Sequence, residues 1–417
     1  MLSSFDYGSM LFVLATVIGL LNERFIRIPR PIALLLGALA VSFAMILLSA
    51  LVPGVHLAAR TEARLADSDL SAVLLDGVLA LLLFATSLGT DVSGLRRRAR
   101  PIFLLATVGV ILAMVIFAFG IHAALAFAGV DVPLGWCLVL GAILAPTDAV
   151  VVEQLLARVN LPQEIRNIIT GESLFNDGAA VVLYFAALAT ATGADSVVGH
   201  GKLVGTMAYA GGGGALLGLA TGWLALKAMQ RVRAEHLVVT LSLALVLATY
   251  RIAVWMELSG PIAVVVSGLM LTQFRAAGDE AAPWRRRIKE FWSMIDEIIN
   301  TLLFMLMGFE VLQIPLGAAG LWPVLAAIPL ALAARFVSVA VPLAFGRRHP
   351  RDAAAAVSIM TWTGLRGGIS IALALALPQS DYHEILTAIC YAVVIFSVIV
   401  QGLSTGRVAR LLYGGKH

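Results

Sequence analysis

Gly141-Ala-Ile-Leu-Ala-Pro-Thr-Asp148 sits in the middle of an apolar run at 134–156 that reads as a membrane helix, yet it carries a proline and a carboxylate. Pro146 removes an amide donor and its ring clashes with the carbonyl of Ala142, so the helix must break there. A second stretch, Thr361-Trp-Thr-Gly-Leu-Arg-Gly-Gly368, interrupts the apolar run 353–377 with glycines and Arg366. Backbone groups freed at membrane depth are tolerated only against protein or a wet cavity. The plainer alternative is two kinked packing helices. Against it stands the ionisable residue that each break carries.

The rest of the chain supplies the apolar setting. Of 417 residues, 60% are hydrophobic and 13% charged, with a mean hydropathy of +0.95; soluble domains run near ~25% charged. This excludes a soluble globular protein, a disordered chain and a nucleic-acid binder. Cys137 and Cys390 both lie in apolar stretches, so no disulfide framework is implied. A crossing needs roughly 20 apolar residues. Candidate spans fall at 3–21, 32–51, 71–89, 102–128, 134–156, 165–192, 203–226, 237–255, 260–274, 291–313, 321–345, 353–377 and 385–412, the eighth and ninth divided only by Glu257 to Pro261. The expected fold is an all-α polytopic membrane protein with 13 transmembrane helices. The connections at 52–70 and 275–290 are too short for an extramembrane domain, so any chemistry lies within the membrane.

Charge placement gives the orientation. The first basic residue, Arg24, follows the first apolar run, the reverse of a cleaved signal, so that run reads as a retained helix. Of the 29 Lys and Arg, 23 fall in odd-numbered connections and the C-terminus, for example Arg96, Arg97, Arg98 and Arg100, or Arg285, Arg286, Arg287 and Lys289. Basic residues mark the cytoplasmic side, which predicts N-out and C-in. Thirteen spans then divide into two six-helix halves of opposite orientation around a central seventh, with the breaks in helices 5 and 12. Inverted repeats with broken helices at matching positions are a secondary-transporter signature, with binding near the midplane.

Ionisable groups deep in a membrane helix are by default functional. The richest set is Gly171-Glu-Ser-Leu-Phe-Asn-Asp-Gly178 in the sixth span. Ser173 and Asp177 share one helical face and Glu172 and Asn176 the next. The first stripe offers a hydroxyl and a carboxylate to a small cation. The second offers a carboxylate and an amide suited to a guanidinium. Asp148 with Thr147 either caps the second half-helix or binds a cation, and the two roles are compatible. Arg366 is expected to pair with Glu172; the alternative is that it offsets half-helix dipoles. Arg335 either pairs structurally within the bundle or snorkels to the inner face. Asp76, Asp296 and Glu297 read as interfacial, Glu153 as an inner-mouth charge, His122 as a packed side chain, and Gly214, Gly218 and Gly222 as close helix packing. His383-Glu384 lacks the second histidine of a zinc site.

Gly-Glu-Ser-Leu-Phe-Asn-Asp (171–177), Pro-Thr-Asp (146–148) and Gly-Leu-Arg-Gly-Gly-Ile-Ser (364–370) resemble the monovalent cation:proton antiporters of the NhaP/NHE type, over about residues 7 to 412. The resemblance implies that Asp177 alternately holds a proton or a cation. Asp148, Ser173 and the backbone carbonyl of Thr147 would complete the cation shell, and Glu172, Asn176 and Arg366 would form a polar network beside it. It further implies a homodimer built on scaffold helices 1–3 (residues 1–95). Core helices 4–6 (100–192) and 11–13 (319–412) would move against that scaffold, with linker helix 7 and scaffold helices 8–10 at 200–313. Electrogenic relatives carry a second aspartate where Asn176 stands and a lysine in the middle of the tenth span, which here reads Asn300-Thr-Leu-Leu-Phe-Met305, so the implied stoichiometry is electroneutral, one for one. Archaeal relatives have a glutamate near the end of the third span. This chain has Ala85, leaving Thr86 or Ser87 to substitute.

The function so implied is exchange of Na+ (or Li+) for H+ by a secondary transporter that is not an enzyme, needs no cofactor and works in a lipid membrane, expected to be a bacterial inner membrane. Potassium/proton exchange on the same fold is the alternative. A cation channel would show a repeated filter loop or ring of charges. An intramembrane aspartyl protease, suggested by Asp148 and Asp177 as paired carboxylates, would show a Gly-x-Gly-Asp stretch. The sequence has neither feature.

Overall fold

The computed structural model describes residues 4–51, 77–89, 97–148, 152, 161–193, 200–232, 234–273, 283–310, 321–344 and 350–413. Among them every regular element is a helix: α1 (Ser4–Leu21), α2 (Arg30–Leu51), α3 (Leu79–Gly89), α4 (Ala99–Phe127), α5 (Leu134–Ile143), α6 (Gln163–Ala191) and α7 (His200–Met229). There follow α8 (Glu235–Trp255), α9 (Gly260–Gln273), α10 (Pro283–Glu310), α11 (Leu321–Ala344), α12 (Pro350–Trp362), α13 (Gly368–Leu375) and α14 (His383–Tyr413). Eight helices among the described residues are long and apolar enough to cross a membrane. Both interrupted runs are split as the proline and the glycines require, α5 stopping at Ile143 and α12 at Trp362. The eighth and ninth runs are divided by a turn in which Glu257 takes φ +56°. This left-handed residue lets the amides of Glu257 and Leu258 fold back onto the carbonyls of Val254 and Ala253 and close α8.

Helices in lipid gain nothing from excluding water, so close van der Waals approach holds them together. The glycine stripe of α7 provides it against α9. A methyl group on Gly214 would stand 2.6 Å from the carbonyl oxygen of Ser259, and one on Gly222 2.9 Å from that of Ser267. Gly218 leaves no room at all against the carbonyl of Ala263. Near α3, Phe84 meets Trp292 of α10 edge-on at 4.7 Å, and the indole of Trp292 donates to Ser242 of α8 at 2.9 Å.

Two groups of helices pack mainly among themselves. One holds α4, α5 and α6 with α11 to α14, the other α1 to α3 with α7 to α10. They meet where α6 lies against α3 and α9, and where α10 lies against α13. His122 is satisfied by packing at the end of α4, its Nδ1 2.9 Å from the carbonyl of Val132. Glu297 pairs with Arg30 at an exposed end of α2. Asp76 and Glu153 lie outside the described residues.

Candidate functional site

The break after α5 begins where the helix loses a donor. Residues 144–148 run as irregular chain past Pro146, and the amide of Val152 then reaches back to the carbonyl of Asp148 at 3.3 Å. Residues 363–367, between α12 and α13, lie against it. The amide of Asp148 donates to the carbonyl of Leu365 at 2.8 Å. Nη1 of Arg366 donates to the carbonyls of Ala145 and Pro146 at 2.8 and 2.9 Å. A π turn in α14, Ser397–Gln401, supplies two more partners. Oγ of Ser397 accepts from the amide of Arg366 (2.9 Å), and the side-chain amide of Gln401 donates to the carbonyl of Trp362 (3.1 Å). Backbone groups freed by the breaks are thus satisfied by protein, the condition for irregular chain at membrane depth.

These contacts correct the expected Glu172–Arg366 pair. Glu172 is held by Arg335 of α11, whose Nη1 and Nη2 take one carboxylate oxygen each, the second at 2.9 Å. Nε and Nη2 of Arg335 also donate to the carbonyl of Met360 at 3.3 Å. Gly364 makes the space, since a methyl there would stand 2.6 Å from Nε of Arg335. Arg366 instead neutralises the carbonyl end of the first half-helix, where the dipole is negative. Asn176 does not join Glu172 on a guanidinium either. Its Nδ2 donates to Oγ1 of Thr147 at 3.0 Å, and Oγ1 of Thr147 shares a 3.0 Å hydrogen bond with Oγ of Ser173.

Asp148 and Asp177 line one cavity of about 340 Å³ including its open mouth, walled also by Thr147, Thr86 and the start of α13. Its enclosed part holds about one water-sized guest. Asp177 is only 6% exposed. Gly367 is required here, because any Cβ would overlap the carboxylate of Asp148. Ser173 stands behind Thr147 and does not line the cavity. Of the two residues expected to substitute for a helix-3 carboxylate, Thr86 lines the cavity, its hydroxyl donating to the carbonyl of Leu82 at 3.0 Å, whereas Ser87 is not in the lining and donates to the carbonyl of Phe84 at 2.7 Å. Asp296, expected to be interfacial, and Asn300, both of α10, also line the cavity. Their spacing of four, a polar pair on one face of an apolar helix, is the signal that could have found them.

The description "sodium/hydrogen exchanger, transmembrane" matches residues 11–411 of the chain. The chain is 33% identical to the Na(+)/H(+) antiporter NhaP of Pseudomonas aeruginosa, over 99% of this chain and 97% of that one. It is 33% identical to the Na(+)/H(+) antiporter NhaH of Halobacillus aidingensis, over 68% of this chain and 70% of that one. Its fold is similar to that of the sodium proton antiporter MjNhaP1 from Methanocaldococcus jannaschii, with a TM-score of 0.73 at 20% identity, covering 98% of each chain. With a match over nearly its whole length and a membrane-helical architecture to go with it, this chain is a multi-pass membrane protein that belongs to the sodium/hydrogen exchanger family.

Proposed function

We propose that this secondary transporter exchanges Na+ for H+ one for one, with Asp177 as the group that takes up either ion. The observation that carries the reading is the convergence of Asp177 and Asp148 on one small cavity beside two broken helices. Low-dielectric surroundings disfavour a bare carboxylate, so Asp177 crosses with a proton or a cation aboard. The two exclude each other. Carrying the empty, charged site through the apolar scaffold costs several kcal/mol, and that barrier couples the flows. Asp148 and the carbonyl of Thr147 supply further oxygen ligands, while Ser173 and Asn176 orient Thr147. Glu172, Arg335 and Arg366 hold the surrounding chain.

Thirteen crossings, N-out and C-in, give the two halves opposite orientation and place the breaks in spans 5 and 12. The group with α4 to α6 and α11 to α14 moves against the scaffold of α1 to α3 and α8 to α10, which forms a homodimer in a bacterial inner membrane. The resemblance supports the one-for-one stoichiometry: the neutral Asn176 stands where electrogenic relatives carry a second aspartate, and residues 300–305 of the tenth span hold no lysine. The test is a proteoliposome assay with a trapped pH-sensitive dye. Addition of Na+ or Li+ should dissipate an imposed proton gradient. A response to K+ alone would point to potassium exchange, and cation flux without proton movement would overturn antiport.

A further inference from the structure

We infer that Asp296, with Asn300 and Ser370, forms a second cation station in the same cavity, through which Na+ passes between one membrane face and Asp148. The inference rests on the reading of Asp177 as the ion carrier. All three side chains line the cavity with Asp148 and Asp177. Oδ1 of Asp296 is buried and has no hydrogen-bond partner. Oγ of Ser370, in a residue only 1% exposed, has none either. A buried oxygen without a donor is costly unless something fills the gap, and two of them in residues that line one cavity are what a cation supplied from water would satisfy. Asn300 lies against the start of α13, its Oδ1 2.8 Å from where a Cβ on Gly368 would stand. Asp296 and Asn300 therefore come from α10 and Ser370 from α13, whereas Asp177 comes from α6.

Electrostatics order the stations. Asp148 lies within electrostatic reach of both Asp177 and Asp296, which makes it the shared neighbour. The inferred order of the stations is therefore Asp296, Asp148, Asp177. Asp296 is seven residues along α10 from Lys289 and next to the exposed Glu297–Arg30 pair, so it belongs to the basic, cytoplasmic end of that helix.

The test is Na+-dependent exchange by the full chain in proteoliposomes, with Na+ presented from each face in turn. Asp296→Asn should raise the KM for Na+ about ten-fold from one face only. Ser370→Ala should shift the same KM in the same direction, the double variant should be no worse than Asp296→Asn, and Asp296→Glu should recover. A folded Asp296→Asn protein with wild-type KM from both faces overturns the station. So does an equal loss of maximal rate from both faces at unchanged KM, the mark of a structural role. Where Asp296→Asn does not fold, Ser370→Ala at wild-type KM overturns it instead. An active Asp177→Asn variant would sink the underlying reading separately, whatever Asp296 does.

Discussion

The backbone amide of Asp148 donates to the carbonyl of Leu365 over 2.8 Å, so the two interrupted segments are bound to each other at the site itself. One residue therefore couples the ion cavity to both breaks. Its carboxylate faces the cavity and its amide closes the second break, while Arg366 returns the favour by holding the carbonyls of Ala145 and Pro146. A shift of either segment must move the other.

Gly367→Ala should leave a folded protein that exchanges poorly. The added methyl has no space beside the carboxylate of Asp148, and misplacing a ligand by about 1 Å costs about 100-fold in rate. Initial rates of dye response in proteoliposomes, set beside the elution profile of the purified variant, check this.

Removing Arg335 should destabilise the protein without any defect in the cavity. Arg335→Ala leaves Glu172 charged and buried, at a cost of about 3–5 kcal/mol, and thermal unfolding in detergent should register it. Replacing both, Glu172→Gln with Arg335→Met, should recover most of the loss. Glu172→Gln should not rescue Arg366→Ala, because Arg366 serves carbonyls and not that carboxylate.

The breaks could be read from Pro146 and the glycines at 364, 367 and 368 because they follow from local backbone chemistry. The adjacent stripes of α6 could be read as well, since helical periodicity alone decides which residues share a face. Which arginine reaches Glu172 could not. Arg335 and Arg366 are both lone guanidiniums in apolar runs, and the choice depends on how α11 is rotated and on Gly364 clearing its path. That Asp296 also lines the cavity could not be read, for a related reason. Its distance from the basic end of α10 suggests an interfacial position, but sequence does not tell how deeply the cavity reaches to meet it.

Gly218→Val should weaken the protein by about 1–3 kcal/mol, because α7 and α9 touch through backbone at that point. Loss of thermal stability with an unchanged KM for Na+ in the surviving fraction is the expected pattern.

Exchange should be indifferent to membrane potential. In the proposed cycle each turnover carries one positive charge in each direction, so an imposed 100 mV does no net work, whereas one uncompensated charge would feel about 2.3 kcal/mol. Clamping the potential with potassium and valinomycin while following the internal pH tests this, and a rate or end-point that tracks the potential would exclude one-for-one exchange.

Substitution at the proposed carrier carboxylate is the most direct measurement. Asp177→Asn removes the charge while keeping the shape of a side chain that is 6% exposed, so the purified protein should fold and reconstitute as wild type. With Na+ or Li+ added to proteoliposomes at several pH values, the account predicts no proton movement above that of empty vesicles. Na+-driven proton movement at the wild-type rate in that variant would contradict it.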